Sequence, residues 1–181
     1  MTMKDYMSFG GGVQSTAIAL LAINKDPRLL EVTDGRVPEL YLFADTGDEP
    51  QDVYENVALM RQKIEASGAA YMEVARPDRK YGDLSLSDHI LTRLNAEERG
   101  ISLPPMFVAD KTGKAMPVFR SCTQDYKVNI LDKTAKAYFS IPRMRKGFTG
   151  PKVRHWYGIS LDEVSRTRTS QDVWRDFYYP L

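Results

Sequence analysis

The stretch Ser8-Phe9-Gly10-Gly11-Gly12-Val13-Gln14-Ser15-Thr16 constrains this chain more than any other. A short apolar run, Tyr6-Met7, precedes it, and Ala17-Ile18-Ala19-Leu20-Leu21-Ala22-Ile23 follows with the composition of a buried helix. The local reading is strand, glycine-rich turn, helix. Consecutive glycines remove every Cβ from the turn, so the backbone is free to take positive φ and to approach a ligand closely. Ser15 and Thr16 open the helix, where backbone N–H groups lack intrahelical partners and the helix dipole favours an anion. A phosphate is the natural occupant; a tight turn without a ligand is the plain alternative.

The turn is not a Walker loop, because no Gly-Lys-Ser/Thr follows at the required spacing. Nor is it a dinucleotide fingerprint: counting G-x-G-x-x-G from Gly10 reaches Gly12, but the third position is Ser15. At 181 residues the chain is expected to form a single domain over 1–181 with a real core. No apolar run approaches a membrane span. Met1-Thr2-Met3-Lys4-Asp5 leads straight into the first strand, which argues against a secretory signal. The single cysteine, Cys122, excludes an internal disulfide framework and any cysteine-only metal site, and points to a reducing, cytoplasmic compartment. A formal net charge of +1 makes no bulk electrostatic case for nucleic acid or membrane.

Farther along, Asn24-Lys25-Asp26-Pro27 breaks the helical pattern and Asp34-Gly35 marks a turn. Leu40-Tyr41-Leu42-Phe43-Ala44 is a continuous apolar run, which predicts a fully buried strand of a parallel sheet. Asp45-Thr46-Gly47-Asp48-Glu49-Pro50 follows, with Pro50 suited to a first helical turn and Asp48 or Glu49 to its cap. Val53, Val57, Met60 and Ile64 share one face of a helix that runs to about Ser67, and Gly68 closes it. Tyr71–Ala75 predicts a third strand. Strand-helix-strand-helix-strand implies right-handed crossovers and a mostly parallel sheet, whose ligands sit beyond the carboxyl ends of the strands. The glycine turn and Asp45-Thr46-Gly47 both fall at such ends.

Ser85 to Leu94 reads as a short helix, with His89 inside it as a surface or core residue. Phe107–Ala109 and Ala115–Val118 flank Asp110-Lys111-Thr112-Gly113-Lys114, which predicts a β-hairpin insertion around 104–120. Thr123 is a good N-cap for a helix continuing to roughly Phe139. Arg120 and Lys127 bracket its start and suggest a small cationic site. Pro142-Arg143-Met144-Arg145-Lys146-Gly147 is a basic loop, either solvated surface or a weak nucleic-acid contact. Val153–Ile159 predicts a last strand, and Arg166 and Arg168 follow as planar, always-charged donors suited to phosphate oxygens.

Four segments, in order, carry a resemblance. Gly10-Gly11-Gly12-Val13-Gln14-Ser15 is similar to the Ser-Gly-Gly-x-Asp-Ser pattern of the PP-loop, with the central glycines and closing serine matched and Gly10 and Gln14 departing from it. Asp45-Thr46-Gly47 is the second segment. Cys122 and Lys127-Val128 match a Cys-x-x-x-x-Lys-Val segment. Gly158-Ile159-Ser160-Leu161-Asp162-Glu163-Val164-Ser165-Arg166 resembles Gly-Ile-x-x-x-Glu-Ser-x-Arg, with Val164 in place of the serine. Together they resemble the phosphoadenosine phosphosulfate (PAPS) reductase-like branch of the PP-loop, adenine nucleotide alpha hydrolase superfamily, a sort often met in phages. The reductases proper have a catalytic cysteine in a C-terminal tail, and Cys122, the single cysteine here, lies in a different segment.

The resemblance implies a three-layer α/β/α, Rossmann-like fold with a mostly parallel five-stranded sheet. It implies an enzyme that cleaves ATP at the α-phosphate, releases pyrophosphate and adenylates an acceptor for sulfur or amide transfer. Ser8, Gly10, Gly11, Gly12, Gln14, Ser15 and Thr16 would hold the phosphates, Asp45, Thr46 and Gly47 the ribose and base. Lys127, Glu163 and Arg166 would be catalytic, Arg168 would add a phosphate contact, and Mg²⁺ would bridge phosphate oxygens. No residue set reads as a dedicated metal site. Two alternatives stay open: PAPS or APS reduction, for which Cys122 at a helix start is the only thiol, and a non-catalytic nucleotide-binding subunit of a larger assembly. The acceptor is unspecified, and a homodimer is compatible with either class.

Overall fold

The computed structural model describes residues 3–76, 80, 82, 84–98, 107–117, 123–142, 152–167, 169–170 and 172–180. Five strands make the main sheet: β1 (Lys4–Ser8), β2 (Leu40–Asp45), β3 (Ala70–Ala75), β6 (Val153–Trp156) and β7 (Arg175–Tyr178), in the order β3-β2-β1-β6-β7. All run parallel. Tyr6 stands opposite Leu40 on one side and His155 on the other, and His155 in turn opposite Phe177. Helices α1 (Val13–Ile23), α2 (Pro27–Val32), α3 (Gln51–Ala66), α4 (Leu86–Asn95) and α5 (Asn129–Tyr138) complete a three-layer α/β/α fold. A separate hairpin pairs β4 (Phe107–Ala109) antiparallel with β5 (Ala115–Pro117), closed by Gly113 at φ +82. Among the described residues no helix is long and apolar enough to cross a membrane.

The chain divides into two compact units. The first comprises Met1–Phe43, Pro50–Glu73 and Lys133–Leu181; the second, Ala44–Glu49 and Val74–Asp132. In the first, strands covered on both faces have no alternation to show: Asp5, Tyr6 and Met7 are all buried, as are residues 40–43. Met7, Phe9, Tyr41, Phe43 and Trp156 pack against Ile18, Ala19 and Ala22 of α1 and Val57, Met60 and Ile64 of α3. Each such fully buried large side chain contributes roughly 1.5–3 kcal/mol. The opposite face carries Tyr6 and His155, with Trp174 and Phe139 at ring distances of 6.2 and 6.0 Å from Tyr6. A polar cluster ties β1 to β6: Asp5 accepts from Trp156 Nε1 at 2.8 Å and from Arg36 Nε at 2.9 Å.

Several local expectations need correction. A short helix, α2, lies between the two expected turns, started by Pro27 and by Asp26, whose carboxylate accepts from the Arg28 N–H. Pro50 is the cap of α3 and not part of its first turn, and neither Asp48 nor Glu49 caps that helix. The expected helix from Thr123 begins with a π-helical segment, Thr123–Val128, before α5 proper. The strand at Val153 stops at Trp156, and the last strand is β7.

Candidate functional site

The sheet order sets the location. From β1 the chain builds outward to β2 and β3, then returns to place β6 on the other side of β1. The carboxyl ends of β1 and β6 therefore flank a topological switch point, where open α/β sheets leave a crevice for ligands. The glycine turn leaves β1 there, and Gly158 follows β6.

Only one of the three glycines is required by the turn itself. Gly11 takes φ +71, and a Cβ on it would lie 2.8 Å from Val53 Cγ1 and 2.9 Å from Val57 Cγ2. Gly10 and Gly12 face open space, with nothing within 4 Å of where a Cβ would be. Gly12 is the N-cap of α1 in extended geometry; no side chain caps this end and no acid lies in the first turn. The helix thus begins one residue beyond the glycines, two residues before Ser15, with its first N–H groups uncapped. Asn56 of α3 braces the turn, donating from Nδ2 to the Gly11 carbonyl and to Thr16 Oγ1, both at 2.8 Å. Across the crevice Gly158 is forced by proximity: its Cβ would sit 2.7 Å from the Ser15 nitrogen and 2.9 Å from the Ser15 Cα.

Beneath the turn lies a buried polar chain. Ser8 Oγ is 2.6 Å from His155 Nε2, and His155 Nδ1 is 2.8 Å from the Tyr6 hydroxyl. Arg175 Nη1 reaches the Tyr6 hydroxyl at 3.2 Å and His155 Nδ1 at 3.3 Å. Asp172 pairs with Arg175 through Nε at 2.8 Å and Nη2 at 2.7 Å. The His155 ring lies between Tyr6 and Tyr157, at centroid distances of 4.1 and 4.0 Å. Burial first, and then the Arg175 charge, hold His155 well below the ordinary histidine pKa, so the ring is neutral.

The polar side chains of α1 find partners beside the turn. Gln14 Nε2 donates to Glu163 Oε2 at 3.4 Å and to Ser160 Oγ at 3.5 Å. Glutamine suits this place, because an acid would face the Glu163 carboxylate. Ser15 Oγ donates to the Gly12 carbonyl at 3.0 Å. Glu163 and Arg166 belong to a short 3₁₀ helix, Leu161–Arg166, started at Ser160. Thus Ser8, Gly10–Gly12, Gln14, Ser15, Thr16 and Glu163 gather at the switch point of the first unit. Arg168, Arg120, Cys122 and the basic residues 143–146 lie outside the described residues.

In the second unit, Asp45 Oδ1 accepts from the Gly47 N–H at 2.8 Å, and Thr46 Oγ1 donates to Glu49 Oε1 at 3.0 Å. Gly47 has φ +73, and its Cβ would lie 2.8 Å from Ser85 Cβ. Asp48, expected at α3, instead accepts from the N–H and hydroxyl of Ser87 at 2.6 and 2.8 Å, in the first turn of α4. The Thr46 carbonyl accepts from Leu86 N–H at 2.8 Å, and Ser85 is the cap of that helix. Lys127 Nζ, expected to belong to a small cationic site and to be catalytic, lies 2.6 Å from Glu49 Oε1. His89 is buried and hydrogen-bonds the Tyr126 hydroxyl. Asp45, Thr46, Gly47, Arg76, Ser85 and Tyr126 line a cavity of about 180 Å³, with the Arg76 guanidinium 4.6 Å from the Tyr126 ring centre.

Sequence reasoning missed Asn56, Tyr6, His155 and Arg175 as members of the first group. Asn56 left a signal: it is a hydrogen-bonding side chain set beside Val57 on the buried flank of α3. The other three meet only through strand register, which no local pattern reports. Among the described residues no cluster of three or more His, Cys, Asp or Glu is arranged to hold a metal. An uncapped helix start, bare glycine backbone and a serine hydroxyl together suit an anionic oxygen. Comparison with protein-family models, with curated proteins and with solved structures returns no match for this chain.

Proposed function

We propose that this chain is an adenine-nucleotide-binding enzyme that cleaves ATP between the α- and β-phosphates and transfers adenylate to an acceptor. The observation that carries the reading is the open turn, Gly10 and Gly12 bare at the uncapped start of α1, at the sheet's switch point. A turn built only for compactness needs Gly11; it has no use for two further glycines that face space. Such backbone donors, with the helix dipole, favour the most highly charged end of a nucleotide.

In this reading the turn, Ser8 and Ser15 hold the β- and γ-phosphates. An oxygen or amide nucleophile of the acceptor forms a bond to the α-phosphorus, and the bond to the β-phosphate oxygen breaks with loss of pyrophosphate. Sulfur or nitrogen then displaces AMP from the adenylated acceptor. Mg²⁺, arriving with the nucleotide, would supply charge neutralisation to its phosphates. Fixed donors at the turn stabilise the same charge without reorganising, which is the larger part of what a protein adds to phosphoryl transfer. Gln14, in place of an acid, keeps the neighbourhood of Glu163 from becoming doubly negative.

Incubation with ATP, Mg²⁺ and candidate acceptors should release AMP and pyrophosphate. Release of ADP and orthophosphate overturns the mechanism. A second reading, nucleotide binding without turnover within a larger assembly, is favoured by one observation: Glu49 already occupies Lys127. Tight ATP binding with no product under any acceptor condition would select it.

A further inference from the structure

The chain Arg175–Tyr6–His155–Ser8 has a direction, and the direction follows from donor chemistry. A guanidinium has donors only. Both contacts of Arg175 Nη1, to the Tyr6 hydroxyl at 3.2 Å and to His155 Nδ1 at 3.3 Å, therefore end on acceptors. The Tyr6 hydroxyl, accepting from Arg175, gives its own hydrogen to Nδ1 at 2.8 Å. Nδ1 thus carries no hydrogen. In a neutral imidazole the hydrogen must then be on Nε2, which faces Ser8 Oγ at 2.6 Å. Ser8 Oγ accepts that hydrogen, so its own O–H has to be given elsewhere.

We propose that His155 is a positioning residue of the glycine turn: donating Nε2–H to Ser8, it commits the Ser8 hydroxyl as a donor to an acceptor-only oxygen, such as a phosphate oxygen. This rests on the nucleotide reading of the turn. Ser8 closes β1, one residue before Phe9 and two before the open Gly10, so its hydroxyl stands where the strand hands over to the turn. A serine free to rotate offers a donor or an acceptor with equal ease; one already receiving a hydrogen bond from His155 keeps its O–H for an acceptor, of which an ionised oxygen is the strongest. The ring is held for this task by stacking on Tyr6 and by tilted contact with Tyr157, and Asp172 holds the guanidinium that orients the far end.

The first test needs no ligand. The sequence has two histidines, His89 and His155, so ¹⁵N-histidine labelling with His155→Gln as the assignment control isolates the ring. At neutral pH the expected state is neutral with hydrogen on Nε2; hydrogen on Nδ1, or an imidazolium, overturns the proposal. The second test is titration with inorganic pyrophosphate. Ser8→Ala and His155→Phe should each weaken binding about tenfold, the worth of one hydrogen bond to a charged group. His155→Gln, which keeps an N–H donor, should recover most of the loss. Because both variants remove one interaction, the double variant should be no weaker than Ser8→Ala alone. Additive losses, or full binding by Ser8→Ala, overturn the proposal even if His155→Phe folds poorly. A wild-type chain that binds pyrophosphate with the wrong tautomer removes only the positioning role; one that binds no pyrophosphate removes the nucleotide reading with it.

Discussion

After β1 the chain enters a turn whose glycines leave the backbone bare; after β2 it enters Asp45–Glu49, where side chains close on one another. The first leaves α1 uncapped and two glycines facing open space. In the second, Asp45 takes the Gly47 N–H, Thr46 and Lys127 both donate to Glu49, and Asp48 takes the Ser87 N–H. Both loops contain a glycine at positive φ packed too tightly for a Cβ, so backbone strain does not separate them. What separates them is whether polar groups remain to be satisfied by something else. A loop that has spent its donors is fastened by its own side chains, and one that has kept them still has backbone N–H groups to offer.

The sharpest way to break this contrast is Gly158→Ala. The new methyl would meet the backbone of Ser15 at 2.7 and 2.9 Å and of Gln14 at 3.0 Å, atoms that cannot rotate away. Pushing α1 back should cost about 3 kcal/mol, a fall in melting temperature of roughly 6–12 °C. Pyrophosphate affinity should fall with it. Gly10→Ala is the counterpart: with nothing within 4 Å, it should stay within about 0.5 kcal/mol of wild type by thermal melting. Equal losses for both variants would mean that the turn is packed, not open.

Next in size is a pH effect peculiar to the first loop's foundation. His155 titrates well below its ordinary value in the folded protein, mainly through burial. The unfolded chain therefore takes up a proton first, as pH drops below about 6.5, and the folded state does not. Stability contributed by the neutral ring is present above that pH and is lost on acidification, by up to ~1.4 kcal/mol per unit until the folded pKa is reached. Urea denaturation from pH 7.5 to 5 should show this fall. His155→Gln should flatten that part of it, whatever its stability at pH 7.5.

The second loop predicts the converse pattern. Asp48→Ala removes the acceptor for the Ser87 N–H and hydroxyl and should cost about 1 kcal/mol, the usual value of a helix cap. Pyrophosphate binding should not change. A loss of affinity without a loss of stability would show that Asp45–Glu49 also contributes to anion binding.

How much of this was legible beforehand follows from where the signals sit. The run Leu40–Ala44 declared a doubly covered strand, and Val57, Met60 and Ile64 declared the buried face of α3, because each pattern is local. The glycine turn was equally local, although only Gly11 uses the conformational freedom that made the triplet conspicuous. Strand β7 was invisible because Arg175 and Asp176 give it no apolar run; Arg175 is buried among Asp172, Tyr6, His155 and the rings of Trp174 and Phe177. Position alone points Asp48 to the nearer helix, α3, whereas its carboxylate serves Ser87 of α4, thirty-nine residues on. The π-helical start at Thr123–Val128 has no sequence signature in capping or periodicity.

The smallest expected effect tests Gln14, a side chain in the first turn of α1. Gln14 donates to Glu163 and Ser160 at 3.4 and 3.5 Å, long bonds that contribute little to stability. Gln14→Glu keeps the length of the side chain but sets a carboxylate against Glu163, at a cost of about 0.5 kcal/mol for a partly solvated like-charge pair. The added negative charge should also weaken pyrophosphate about threefold, and the loss should shrink at high salt. Glu163→Gln in the same background should restore both, because the defect is repulsion and not a missing contact. If Gln14→Glu binds pyrophosphate as well as wild type, the charge of this residue is irrelevant to the turn. The proposed phosphate binding at the first loop would then rest on its bare backbone and on Ser8.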